Sequence, residues 1–222
     1  MHGDDLVARR EEMVRDQLAA RGVRNPAVLE AMRRVPREQF ISPGLRHRAY
    51  DDAPLPIEDG QTISQPYIVA LMLEAAVIRP TDRVLEIGAG SGYASAIASL
   101  LGAHVVAIER HPGLAASAQE RLARLGYAKV ELHCADGSGG WPAGAPFDAI
   151  LVAASGPRVP AVLRGQLAAG GRLVMPVGHS TWDQRLVRVI RRGDDAFAEE
   201  ELGGVVFVPL IGEHGWPSGQ ER

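Results

Sequence analysis

The segment VLEIGAGSGYAS, residues 84–95, sets Gly88, Gly90 and Gly92 at alternate positions between an apolar run and a helix-forming stretch. Glycines so placed permit a tight turn and close approach of a ligand to backbone N–H groups. The plain alternative is a glycine-rich turn with no ligand, but such a turn needs only one or two glycines. A dinucleotide site calls for GxGxxG with a pyrophosphate at the helix N-terminus. Here the third glycine arrives one residue early, and Glu86 stands just before the loop. A carboxylate repels a pyrophosphate and attracts a sulfonium or an ammonium group. S-adenosylmethionine carries both cations, so the local charge favours it over a nicotinamide dinucleotide. Glu109 closes HVVAIER where an acid can grip ribose hydroxyls, a feature that nicotinamide enzymes share. Asp136 precedes Gly137 in HCADG, and alone that pair reads as a turn. Three acids at the ends of three successive apolar runs strengthen the cofactor reading, because ligands of open α/β sheets bind at the carboxyl edge.

The second stretch with chemical content is DGQTISQP, residues 59–66. Ser64 either caps a helix or meets a substrate. Pro66 favours the first helical position and presses Gln65 into an extended conformation, which makes Gln65 the better cap. A helix over 66–78 spans about 20 Å, and an apolar strand over 83–88 runs back a similar distance. Packed antiparallel across the turn RPTD, the two bring Ser64 to the glycine loop. Thr62 either contacts substrate or braces the loop, and Gln61 orders it through backbone hydrogen bonds.

These residues need a scaffold. Val7, Met13, Val14 and Leu18, then Val28, Leu29 and Met32, recur at roughly helical spacing, with Asn25–Pro26 as the start of a second helix. An irregular, proline-rich segment covers residues 42–65. From Arg83 on, the apolar runs RVLEIG, HVVAIE, KVELHCAD, FDAILVAA and GRLVMPVG alternate with helical stretches around 93–101, 113–125 and 158–168. That rhythm predicts βαβ units and a parallel sheet covered on both faces. QRLVRVIRR and GGVVFVPL follow with no helix between them, so an antiparallel pair should close the sheet edge. The expected fold is α/β, a Rossmann-like doubly wound, mostly parallel sheet with an antiparallel edge strand pair and an N-terminal helical extension. Residues 1–80 form the extension and loop, 81–211 the core, and 212–222 a loosely ordered tail.

Composition bounds the function. With 222 residues, 46% hydrophobic and 23% charged, the chain suits one soluble domain. A net charge of −3 supplies no global basic field for nucleic acid or an anionic membrane. Cys134 is the sole cysteine, which excludes an internal disulfide or a cysteine zinc site, and the seven histidines lack ligand spacing, so no metal is expected. The N-terminus is charged where a signal peptide is apolar, and no apolar run approaches the ~18 residues of a membrane span. A cytoplasmic monomer is expected. His133 and His179 read as structural or exposed, Cys134 as a small hydrophobe on a buried strand, Trp141 as packing near the cofactor side, and Val205 and Val206 as core.

VPREQF, LPIEDGQTISQP, VLEIGAGSGY, PFDAILVAA, GGRLVMPVG and VVFVPL stand in the order seen in protein-L-isoaspartate O-methyltransferases. These are class I S-adenosylmethionine-dependent methyltransferases, and the chain resembles them over roughly residues 10–211. GQTISQP is the specific part. The resemblance implies methyl transfer from S-adenosylmethionine, leaving S-adenosylhomocysteine, to the free α-carboxylate of L-isoaspartyl residues in damaged proteins, whose ester then recyclises to a succinimide. It implies Ser64 as the catalytic contact and Gln61, Thr62, Ile63, Ser64 and Val206 as substrate contacts, the backbone near Val206 pairing with the peptide in β fashion. It implies Glu86, Gly88, Gly90, Gly92, Glu109, Arg110, Asp136 and Gly137 as cofactor contacts. Glu58, Asp59 and VAASGPRVP depart from the usual family residues. A carboxylate is already ionised at neutral pH, so its methylation needs no general base. Two other readings stay open: a class I methyltransferase of a small molecule or RNA, and a non-catalytic module that keeps the glycine loop.

Overall fold

The computed structural model describes residues 3–180, 183–217 and 219. Helix α1 (Gly3–Glu12) runs into a π-helical turn, Met13–Leu18, and then a short turn that stops at Gly22. Asn25 starts α2 (Pro26–Arg34): its side-chain oxygen accepts from the amides of Ala27 (2.9 Å) and Val28 (3.4 Å). Pro26 sits at the first helical position, where no N–H is needed. A two-residue ladder, β1 (Leu55–Pro56) against β2 (Thr62–Ile63), closes a small loop ahead of α3 (Pro66–Ala76). Glu74 on α3 accepts from the amides of Arg24 and Asn25, both at 2.6 Å, and so fixes where α2 begins.

The main sheet contains β3 (Arg83–Ile87), β4 (His104–Glu109), β5 (Val130–Cys134), β6 (Phe147–Val152), β7 (Leu167–Ser180), β8 (Asp183–Arg191) and β9 (Phe197–Val205), in the order β5-β4-β3-β6-β7-β8-β9. The first five strands of that order run parallel, joined through α4 (Tyr93–Leu101), α5 (Pro112–Arg124) and α6 (Ala161–Gly165). The last two pair antiparallel. The expected fold class is the observed one.

Central strands are apolar on both faces because both are covered. Val84, Val105, Ala149 and Leu151 face a core built with Met13, Leu18, Met32, Leu73 and Ile97 of the helices. Leu85, Ile87, Val106, Ile108 and Ile150 point the other way, toward a second core with Leu163, Met175 and Leu210. Arg172 of β7 ties α3 to the start of β3. It donates to Ala76 O at 2.7 Å and to Asp82 at 2.6 Å, with both charged side chains nearly buried.

Five expectations need correction. The last strand is Phe197–Val205 and not 203–210. Its acidic run pairs with arginines of β8, Arg185 with Glu201 at 2.6 Å and Arg188 with Glu200, while the apolar run after it leaves the sheet. Val206 is therefore 62% exposed and no part of the core. Cys134 is exposed, because β5 is the sheet edge. Residues 211–217 are tied down: Trp216 donates its backbone N–H to Leu210 O (2.7 Å) and its indole N–H to Ser155 O (3.0 Å). Residues 218 and 220–222 of the expected tail lie outside the described residues. The helix expected around 158–168 shortens to five residues, because β7 already begins at Leu167.

Candidate active site

After β3 the chain builds β4 and β5 on one side and returns to β6 on the other. The carboxyl ends of β3, β4 and β6 thus diverge around a crevice, the place where open α/β sheets bind ligands. A cavity of about 350 Å³ fills it, a size suited to a small-molecule ligand.

The floor is the loop after β3. Gly88 and Ala89 donate to Ile108 O at 2.9 and 3.0 Å, which pins the loop to β4. Gly90 holds φ at +53°, a conformation that side-chain-bearing residues avoid, and its N–H reaches Glu109 Oε2 at 2.8 Å. Glu109, 4% exposed, accepts a second amide from His111 at 2.9 Å. Its carboxylate therefore stands at the end of β4 with its position set by two backbone donors. Gly137 forms another part of the wall: a Cβ there would come within 2.7 Å of Ile87 Cγ2.

Glu86 also lines the cavity, but it is 1% exposed and receives the hydroxyl of Ser95 on α4. Burial pushes its carboxyl up to about 8, the Ser95 bond works against that rise and nearby Glu109 adds to it. Burial thus favours the neutral carboxyl where a fixed negative charge was expected, and a cation beside it would favour the ionised form.

The roof comes from two distant stretches. The first is the loop Asp59–Ser64, ending at Pro66 on the first turn of α3. Gln61 orders this loop, donating its side-chain amide to Asp59 O at 3.2 Å while its carbonyl accepts from Ile57 at 2.9 Å. Gln65 takes the cap position of α3, yet neither it nor Ser64 makes a side-chain cap bond. The second stretch is Val208–Ile211, which crosses over β6 by bonds between Ser155 and both Val208 and Leu210, each 2.8 Å.

The structure thus brings Gln61, Thr62, Ile63, Ser64, Glu86, Gly88, Gly90, Glu109, Arg110 and Gly137 onto one cavity. It places three others elsewhere. Gly92 is the left-handed cap of α4. Asp136 turns its carboxylate to the C-terminal segment, accepting from Ser138 N at 2.8 Å and Glu213 N at 3.0 Å; burial opposes its ionisation, but these amides hold its pKa below the usual carboxylate value. Val206 lies on the surface two residues before the roof segment. Sequence reasoning missed Pro209 and Leu210, which it read as strand, Ile211 just beyond them, and Ala153 after β6. Their signal was the position of β6 beside β3, where the crevice must open.

A family model of the protein-L-isoaspartate(D-aspartate) O-methyltransferases matches residues 8–215. The chain belongs to this family. A protein-L-isoaspartate O-methyltransferase of Rhodopseudomonas palustris is 56% identical over 204 residues, covering 92% of this chain and 94% of the relative. A second such enzyme, from Marinobacter nauticus, is 54% identical over 215 residues, covering 97% and 98%. Among solved structures, a protein-L-isoaspartate O-methyltransferase superposes with a TM-score of 0.81 at 29% identity over 92% of this chain and 66% of that one. A Plasmodium falciparum chain assigned to the same methyltransferases, crystallised with S-adenosyl-L-homocysteine, gives 0.79 at 25% identity over 91% and 98%.

Proposed function

We propose that this chain transfers a methyl group from S-adenosylmethionine to the free α-carboxylate of L-isoaspartyl residues in damaged proteins and peptides, starting their repair through a succinimide. One observation carries the reading beyond family membership. The glycine loop with Glu86 and Glu109 and the loop Asp59–Ser64 line a single cavity.

The residues present fit the cofactor. A wall where Gly137 packs too closely on Ile87 to carry a Cβ, a buried carboxylate at the end of β4 and a buried, ionisable carboxyl at Glu86 suit a flat adenosine and a cationic amino acid. We assign Gly88, Gly90, Gly137 and Arg110 to the wall that holds it, Glu109 to the ribose hydroxyls and Glu86 to the cationic end. Gly92 supports the loop as the cap of α4, and Asp136 acts through the segment it anchors. When bound, the cofactor supplies an electrophilic methyl on a sulfonium.

This chain's residues then have to present a carboxylate without over-stabilising it. Ser64 offers one neutral hydroxyl donor, and the first turn of α3 offers unpaired N–H groups. An arginine clamp would stabilise the ionised ground state and raise the barrier. Alignment and exclusion of water from a cavity of this kind contribute ~7–11 kcal/mol in favourable systems. Thr62 and Ile63 continue the wall beside Ser64 and bound the acceptor. Val206, exposed just ahead of the Val208–Ile211 segment, is placed to pair with an extended peptide.

We further propose a monomeric, cytoplasmic enzyme with no nucleic-acid or membrane partner. The net charge of −3 supports this, and so does the distribution of the exposed large apolar residues among the described ones, Val7, Val77 and Val206, over three separate elements. No described helix is long and apolar enough to cross a membrane.

Paired variants test the division of roles. Ser64→Ala should lower kcat on an isoaspartyl peptide at least tenfold, the cost of about 1.4 kcal/mol in the transition state, with S-adenosylhomocysteine affinity unchanged. Glu109→Ala should weaken that affinity first. The reverse pattern would mean that the two walls have been assigned the wrong way round.

A further inference from the structure

Among the described residues no side chain hydrogen-bonds the Ser64 hydroxyl, so its place in the cavity depends on the backbone on either side of it. On the C-terminal side that backbone is clamped from outside the cavity. Gln65 donates its side-chain amide to Asp52 twice, at 2.7 Å to the carboxylate and 3.2 Å to the backbone carbonyl. Asp52 is paired in turn with Arg21 at 2.9 Å, and the Arg21 guanidinium lies 3.7 Å above the ring of Tyr67. The two residues flanking Pro66 are therefore held by one ion pair, with Ser64 directly before them.

Asp52 is itself set by a rigid neighbourhood. Buried Arg37, from the VPREQF motif, donates to Ala49 O at 2.8 Å, and Gln17 donates to Tyr50 O at 2.8 Å. The Tyr50 hydroxyl bonds to Glu38, also buried. The chain entering Asp52 thus has little freedom, whereas Asp52 and Arg21 keep side-chain exposures of 42% and 41%. Exposed pairs of that kind contribute little to stability. Their value here is geometric: a fixed carboxylate at the point where the loop turns into α3.

We propose that Asp52 is a positioning residue for the methyl acceptor, holding Gln65 so that the Ser64 hydroxyl faces the carboxylate of the substrate. The idea rests on the assignment of Ser64 made above. It gives the N-terminal extension a part in the reaction: Arg21 and Arg37, some distance from the cavity, act on Ser64 through the Ala49–Asp52 segment.

The test uses the full-length enzyme with labelled S-adenosylmethionine and an isoaspartyl peptide. Asp52→Ala should lower kcat about five- to tenfold, the effect of one lost hydrogen bond of about 1 kcal/mol, with KM changing less. Its melting temperature and its affinity for S-adenosylhomocysteine should match the wild type. Asp52→Asn keeps an acceptor for Gln65 while giving up the charge, and should recover most of kcat. In a Ser64→Ala background, Asp52→Ala should cause no further loss, since the two act as a unit. Wild-type turnover in Asp52→Ala, equal damage in Asp52→Asn, or losses that multiply in the double variant would each overturn the clamp. Full activity in Ser64→Ala alone would overturn the assignment of Ser64 and the clamp with it. An impaired Ser64→Ala beside an unimpaired Asp52→Ala would remove only the clamp.

Discussion

At 1% exposure the Glu86 carboxyl has one hydrogen bond, from Ser95, and burial lifts it from an ordinary value of 4.5 to about 8. The raised value has a definite sign in stability. Between 4.5 and 8 folding takes up a proton; the stabilisation is complete below the lower value and is lost as pH rises through the upper one. The wild-type melting temperature should therefore fall from about pH 5 to about pH 8 by more than that of Glu86→Gln, in thermal scans without cofactor. Affinity for the sulfonium cofactor should rise across the same interval in the wild type and stay flat in Glu86→Gln. Equal slopes in the two proteins would show that Glu86 does not titrate there. The convergence of Gly90 and Ser64 on one cavity was legible in the sequence, from a glycine turn after a strand and from matched helix and strand lengths. Asp136 was not, because its second amide partner, Glu213, lies 77 residues further along the chain.

Among the elements, β3, β4, α4 and α5 follow the sequence pattern closely, since each is a single apolar run or a helical period with clear ends. Strand β9 escaped that pattern. FAEEELGGV is too acidic to read as a strand alone, and it becomes one through the arginines of β8. Past Val205 the chain leaves the sheet: Phe207 exchanges bonds with Gln184 at 2.7 and 3.1 Å, and Val208–Ile211 then line the cavity. Helix α3 delivers Ser64 to the cavity only if its far end stays fixed, and Arg172 holds that end through Ala76 and Asp82. Arg172→Ala leaves Asp82 buried without its cation, a change worth about 3–5 kcal/mol. Denaturant unfolding should show a loss of that order. A loss below about 1 kcal/mol would place this pair with surface ion pairs, which contribute little.

Over the whole molecule, three parts of the chain converge on one crevice: the loop before α3, the turns after β3, β4, β5 and β6, and the segment after β9. The parallel core fixes the second of these, and it was legible from glycine spacing and strand rhythm. The first depends on the helical extension that braces Asp52, and the third on bonds across β6 to Ser155. Such long-range contacts leave no periodic trace in a sequence, which is why the roof was the least legible part of the site. The central claim is that this crevice recognises one carboxylate, the α-carboxylate that only an isoaspartyl linkage sets free within a chain. The most direct measurement offers the enzyme labelled S-adenosylmethionine with two peptides identical except for Asp or L-isoAsp at one position. Base-labile methyl ester should form on the isoaspartyl peptide alone. Equal labelling of both peptides, or none on either, would contradict it.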